Sequence, residues 1–209
     1  MTEHAYTTVA LVRGIHRIED APDSRYEEAI ATATGQIDEF CGRRFDMVTS
    51  VSREFDVELD YLSGHFASMT IDDIPVGGPT VSRVELSTDP SDDDSWVVQE
   101  SGWWLSSGVP GARTPKEGWP YAELTVARTY GWEGRYVRIT ADWGWDAVPK
   151  QVERACLMSA ARIVNREDSV MGILSSGDFG TVGVFPRPDP DTARMLRPFK
   201  RDYLLSRWD

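Results

Sequence analysis

The chain reads as an α+β protein: a helical platform of about four helices drawn from both chain ends, with an inserted antiparallel β domain between them. Three observations predict this. Apolar residues recur at helical spacing up to about residue 46, alternate at period two from about Met47, and return to helical spacing after Pro149. Turn formers punctuate the middle, as in "PVGGPT", "DPSDDD" and "VPGARTP". Seven of the eight tryptophans also fall there. The expected segments are 1–46, an N-terminal helical hairpin; 47–147, a Trp-rich β domain; and 148–209, C-terminal helices, a Gly-rich loop and a tail.

A first helix is expected around 8–18, with Val9, Leu11, Val12, Ile15, His16 and Ile18 on one broad side and Thr7 or Thr8 as cap. A second spans 24–41. There Ser24 and Glu27 fit a capping box, and Tyr26, Ile30, Ala33, Ile37 and Phe40 follow at steps of three and four. Gly42 suits a left-handed helix end. Strands are expected in "VSREFDVEL", "SMTI", "TVSRVELS", "SWVVQE", "GWWLSS", "AELTVARTY" and "YVRITADW". In the last of these and just beyond it, Ile139, Ala141, Trp143 and Trp145 alternate with polar residues or glycine. Pro149 then suits a helix start, because its missing N–H would have had no partner there. That helix runs to about Arg166 on Val152, Cys156, Ala160 and Ile163. Ile30, Ile37, Phe40, Val152, Cys156 and Ile163 are expected to be buried together. After the connection "MGILSSGDFGTVGVFPRPDP", Asp189 or Asp191 can cap a final helix over 191–197, which Pro198 stops near Arg197.

Composition narrows the function. Hydrophobic residues make up 41%, enough for a core. No apolar run is long enough for a transmembrane helix, and no leader of the secretory type is evident. Cys41 and Cys156 sit on apolar helix faces, which favours small buried thiols over a disulfide and a reducing cytoplasmic compartment. The net charge is −12; residues 47–147 carry 17 acidic and 7 basic side chains, residues 192–209 carry 2 and 5. An acidic surface repels nucleic-acid phosphates, so DNA binding through the middle is disfavoured.

Candidate chemistry is sparse. His4, His16 and His65 share no metal-ligand spacing with one another or with the cysteines, so no metal is expected. "DPSDDD" lacks the glycine and distal glutamate of an EF-hand loop and reads as a solvated acidic turn. "GDFGTVG" has neither a Walker lysine nor the companion kinase motifs. No nucleophile elbow and no acid–base carboxylate pair is found, so neither catalysis nor a cofactor is expected. The tryptophans read chiefly as an aromatic core, with an exposed glycan- or protein-binding platform as the rival reading.

Three blocks, in order, carry a resemblance. "LVRGIHRIEDAPDSRYEEAIATATGQIDEFCGRRF", "VRITADWGWDAVPKQVERACLMSAARIVNRED" and "DPDTARMLRPFKRDYL" together resemble the head-to-tail connector (adaptor, head-completion) proteins of tailed bacteriophages. The carriers are Gly42, Arg43, Arg44 and Phe45; the Trp143–Gly144–Trp145 trio before Pro149; and Leu196, Arg197, Pro198, Phe199 and Lys200. The insert of roughly 100 residues is larger than in the smallest members. The resemblance implies a dodecameric ring beneath a portal protein in the virion neck, reached through the host cytoplasm during assembly. It implies partners in the portal, a tail-side connector or stopper, and other copies of the chain. Genomic DNA would pass through the lumen without specific binding, which a negatively charged wall favours. It further implies portal docking through a basic, aromatic tail: Arg194, Arg197, Phe199, Lys200, Arg201, Tyr203, Arg207 and Trp208, with residues after Pro198 free to reach out; for Leu196 and Phe199, packing on their own domain is an equal reading. The glycine-rich loop, with Gly172, Gly177, Asp178, Phe179 and Gly180, is expected to contact a neighbouring subunit.

Overall fold

The computed structural model describes residues 4–15, 22–57, 60–63, 66–77, 81–107, 114–127, 135–168, 173–174, 182–183 and 189–201. They form two compact units, one from Met1–Phe45 with Val148–Asp202 and one from Asp46–Ala147, each counted over its described residues.

The first unit is helical. Its elements are α1 (Val9–Ile15), α2 (Asp23–Cys41), α3 (Lys150–Asp168) and α4 (Pro190–Leu196), the last continued by a 3-10 turn, Arg197–Phe199. α2 and α3 pack along faces rich in small residues. Ala29, Ile30, Ala33, Thr34 and Ile37 of α2 are buried, as are Val152, Ala155, Cys156, Ala160 and Val164 of α3. Alanine at these positions lets two helices approach closely without loss of helix propensity. Phe40 and Ile163, expected in this core, are only half-buried; Val164 turns inward in place of Ile163. On α1 the broad apolar side narrows to one fully buried residue, Val12, and leaves Leu11 and Ile15 exposed.

The helix ends follow local chemistry. Thr8 caps α1, its hydroxyl accepting from the Leu11 N–H at 3.4 Å. The capping box expected at Ser24 does not form, because α2 begins one residue earlier, at Asp23 behind Pro22. Gly42 ends α2 at φ 62°, ψ 28°, and its N–H returns to the Asp38 carbonyl. The Val152 and Glu153 amides close the first turn of α3 on the Pro149 carbonyl. Asp189 caps α4 through the Thr192 N–H at 3.3 Å and pairs with Arg162 at 2.8 Å.

The second unit holds two antiparallel four-stranded sheets. One has the order β1 (Val48–Asp56), β8 (Tyr136–Trp143), β4 (Val81–Ser87), β5 (Val97–Val98); the other has β2 (Asp60–Ser63), β3 (Phe66–Ile74), β7 (Tyr121–Ala127), β6 (Trp103–Ser106). The pattern of alternation left β2 unpredicted. In β8 the alternation is strict, burying Val137, Ile139, Ala141 and Trp143. These residues share one core with Met69, Ile71 and Ile74 of β3, Val84 and Leu86 of β4, and Leu124 and Val126 of β7. This cluster is chiefly aliphatic, with Trp143 at one end and Phe55, Trp103 and Tyr121 packed against it. Burying each large aliphatic side chain contributes about 1.5–3 kcal/mol. β1 carries a bulge at Ser50, whose left-handed φ of 54° is held by a hydrogen bond that its backbone N–H donates to the Asp142 carboxylate at 2.8 Å.

Candidate functional site

The seam at the end of the β unit is built on one glycine. Gly144 sits at φ 115°, and a Cβ there would lie 2.0 Å from the Asp46 carbonyl oxygen. Only glycine fits, which explains the Trp–Gly–Trp pattern in physical terms. The flanking rings are then fixed: Trp143 donates its indole N–H to the Val51 carbonyl at 2.7 Å, and Trp145 donates to the Asp73 carboxylate at 3.0 Å. One residue on, the Asp146 carboxylate accepts from the Val76 and Gly77 amides at 3.0–3.1 Å.

Of the six described tryptophans, Trp96, Trp143 and Trp145 are buried and Trp103, Trp104 and Trp119 half-buried. Among the described residues there is no group of His, Cys, Asp or Glu suited to a metal ion, and no helix is long and apolar enough to cross a membrane. Both cysteines are free and buried. Burial pushes the Cys41 thiol up to about 12, with a smaller opposing pull from Arg43. The Cys156 thiol is also raised by burial, against a bond with Thr34. Neither is poised as a nucleophile.

What the molecule offers is surface. On the helical unit Arg194, Arg197 and Lys200 are exposed, with the Lys200 ammonium 6.0 Å from the centre of the Phe40 ring. Two other members of the expected docking set, Phe199 and Arg201, face inward in the helical unit. Phe199 is 5% exposed and packs edge-on against Phe45, ring centres 5.7 Å apart. Arg201 is 9% exposed, and its amide donates to the Cys41 carbonyl at 2.8 Å. Residues 199–201 thus stay tied to the α2 end. Tyr203, Arg207 and Trp208 lie outside the described residues, as do Gly172, Gly177, Asp178, Phe179 and Gly180 of the loop.

The β unit offers an acidic turn. Asp92 caps the 3-10 turn Asp93–Ser95 by accepting from the Asp94 amide at 3.1 Å, and the Ser95 hydroxyl bonds to the Asp89 and Asp92 carbonyls. Two bonds from Ser91 hold the Asp89 carboxyl below the ordinary carboxylate range. Arg138 stacks over Trp96 at 4.1 Å and pairs with Glu54 at 2.8 Å and Asp93 at 3.3 Å. Beside this turn the edge strand β5 leaves Val97 and Val98 exposed. Sequence reasoning found the acidic turn but not these valines, nor the exposure of Leu11 and Ile15. A two-residue edge strand and a helix face that narrows to one buried residue leave no periodic signal.

The fold defines an α+β protein with a helical unit from both chain ends and a two-sheet β unit between them. No family model and no curated protein matches the sequence. Among solved structures, the chain is similar to one in the neck of an empty GTA (gene transfer agent) particle computed with C6 symmetry. The TM-score is 0.50 at 14% identity, over 92% of this chain and 88% of the other. At that identity the likeness is one of fold.

Proposed function

We propose that the chain is a structural subunit of a phage-type neck: a head-to-tail adaptor forming a ring under a portal, extending the DNA channel and presenting the surface for tail attachment. The observation that carries this reading is the fold shared with a particle-neck chain over 92% of the sequence. The three blocks of sequence resemblance support it independently. Twelve copies is the ring size the resemblance implies.

The physical properties suit the role. A ring subunit needs interfaces rather than a catalytic residue, and the reading is non-enzymatic, without metal or cofactor. A chain of net charge −12 gives a lumen wall that repels DNA phosphates, so the genome passes without being held. The partners in this reading are the portal, a tail-side connector or stopper, other copies of the chain and the DNA in transit, with no membrane. Its place is the virion neck, after assembly in the host cytoplasm.

Negative-stain microscopy of the purified protein mixed with its portal tests the reading. Rings, or a lengthened portal channel, are the expected result. Discrete monomers that leave the portal unchanged and bind glycans would overturn it in favour of a Trp-rich β binding module.

A further inference from the structure

We propose that copies of this chain join head to tail through the Arg194–Arg197–Lys200 ridge of one copy and the acidic edge at Asp93, Asp94, Val97 and Val98 of the next. The inference rests on the ring reading and names the surfaces that would close it.

The ridge is a built feature. Its three cations stand three residues apart along the end of α4 and the 3-10 turn, a spacing that places side chains one above another. All three are exposed, while Thr192, Leu196 and Phe199 beneath them are buried and hold the backbone in place. Arg194, Arg197 and Lys200 form no ion pair among the described residues. The half-buried Met195 and Phe40 supply apolar ground beside the charges.

The second copy is the occupant that charge complementarity selects. The basic excess lies in residues 192–209 and the acidic excess in residues 47–147 of the same sequence. Within that acidic unit, the Asp93 side chain is 93% exposed, with one oxygen 3.3 Å from Arg138 and the other carboxylate face open, beside an exposed Asp94, on a turn already fixed by its own hydrogen bonds. Such ordering reduces the entropy lost on docking. Val97 and Val98 are 58% and 45% exposed, apolar ground against which arginine stems can lie. Because ridge and edge are different surfaces, on different units, their pairing is heterologous. A heterologous contact repeats from copy to copy and closes into a ring when the rotation allows.

A charge swap tests this in the full-length chain. One variant carries Arg194→Glu, Arg197→Glu and Lys200→Glu. The other carries Asp93→Lys and Asp94→Lys, with Asp92 kept as the cap of the turn. Sedimentation at about 0.15 M salt reads self-association, where exposed charges still act over about 8 Å. Each variant alone should associate about tenfold or more weakly than the wild type, since the facing charges become alike. An equimolar mixture should recover association, because each reversed surface then meets its complement. Far-ultraviolet circular dichroism and melting of each variant separate repulsion from misfolding, and the milder pair Arg194→Gln, Arg197→Gln should show a smaller loss. Wild-type association in either variant, or no recovery in a mixture of folded variants, overturns the interface. If the ridge variant self-associates normally but loses binding to a duplex oligonucleotide, the ridge serves nucleic acid and the inference fails. Rings on the portal that ignore both swaps sink this interface and leave the adaptor reading standing. A wild-type chain that stays monomeric with and without portal sinks both.

Discussion

The indole N–H of Trp145 donates to the carboxylate of Asp73 at 3.0 Å, and the neighbouring Gly144 amide donates to the Asp73 carbonyl at 2.7 Å. Both partners are buried, Trp145 at 2% and Asp73 at 4% exposure. The end of β3 is thereby stitched to the segment leaving β8, with the Trp119 ring 5.2 Å from that of Trp145 as a lid. A buried carboxylate is costly unless hydrogen-bonded, so the bond and the burial depend on each other. Asp73→Ala, which removes the acceptor, should cost about 1–3 kcal/mol in urea unfolding. Asp73→Asn keeps an acceptor oxygen and should cost less. Equal stability of the alanine variant and the wild type would show that the bond contributes nothing.

Two glycines should respond in opposite directions to the same change. Gly144→Ala puts a methyl group into the Asp46 backbone at a φ of 115°, so a loss of about 3 kcal/mol or more is expected. Gly35 lies mid-helix in α2 with open space where its Cβ would stand. Gly35→Ala should raise stability by about 0.5–1 kcal/mol through helix propensity. Paired thermal melts read both, and a Gly144→Ala protein as stable as wild type would remove the steric account of the Trp–Gly–Trp seam.

Buried thiols give the protein an alkaline weakness. The folded Cys41 thiol titrates at about 12 against an ordinary 9.0, and Cys156 is raised as well. A raised folded value means the contribution is fully present below the unfolded pKa and is lost as pH rises from it toward the folded one. Stability should therefore fall above about pH 9, and less steeply in the Cys41→Ala, Cys156→Ala double variant. At pH 8 a thiol reagent should react only as fast as the chain opens. Rapid reaction of both thiols in fully folded protein would contradict their burial.

The fold class was legible because hydrophobic period is a local signal and the switch between 3.6 and 2 is abrupt at both borders of the β unit. Gly42, Asp189 and Pro149 announced their helix ends because capping chemistry is also local. What was missed depends on neighbours. Nothing in the periodicity of α3 says whether Ile163 or Val164 faces α2. Ser24 and Glu27 have the letters of a capping box, yet α2 begins at Asp23, ahead of Ser24, with its first turn set by the Pro22 backbone. Residues of the acidic turn were visible as a cluster, but its order comes from Ser91, Ser95 and the stack of Arg138 on Trp96, which span distant strands. The candidate docking set mixed two kinds of residue because basic and aromatic letters alone do not separate an exposed Arg197 from a Phe199 packed on Phe45.

That last distinction changes how the tail should be cut. Phe199 fills space against Phe45, and the Arg201 amide completes the backbone bonding at the Cys41 carbonyl. A deletion starting at residue 199 therefore removes core, and losing a buried phenylalanine typically costs about 3–5 kcal/mol. A loss of portal binding in that protein would report instability rather than docking. Deleting 202–209 instead keeps both contacts while removing Tyr203, Arg207 and Trp208. Urea unfolding of this shorter chain beside the wild type separates a docking defect from a stability defect. Under the adaptor reading the shorter cut should abolish co-sedimentation with the portal and stall assembly at DNA-filled, tailless heads. If the chain ending at Arg201 were stable and still bound the portal with unchanged affinity, docking would belong to residues before 202, and the exposed Leu11 and Ile15 of α1 would be the next surface to substitute.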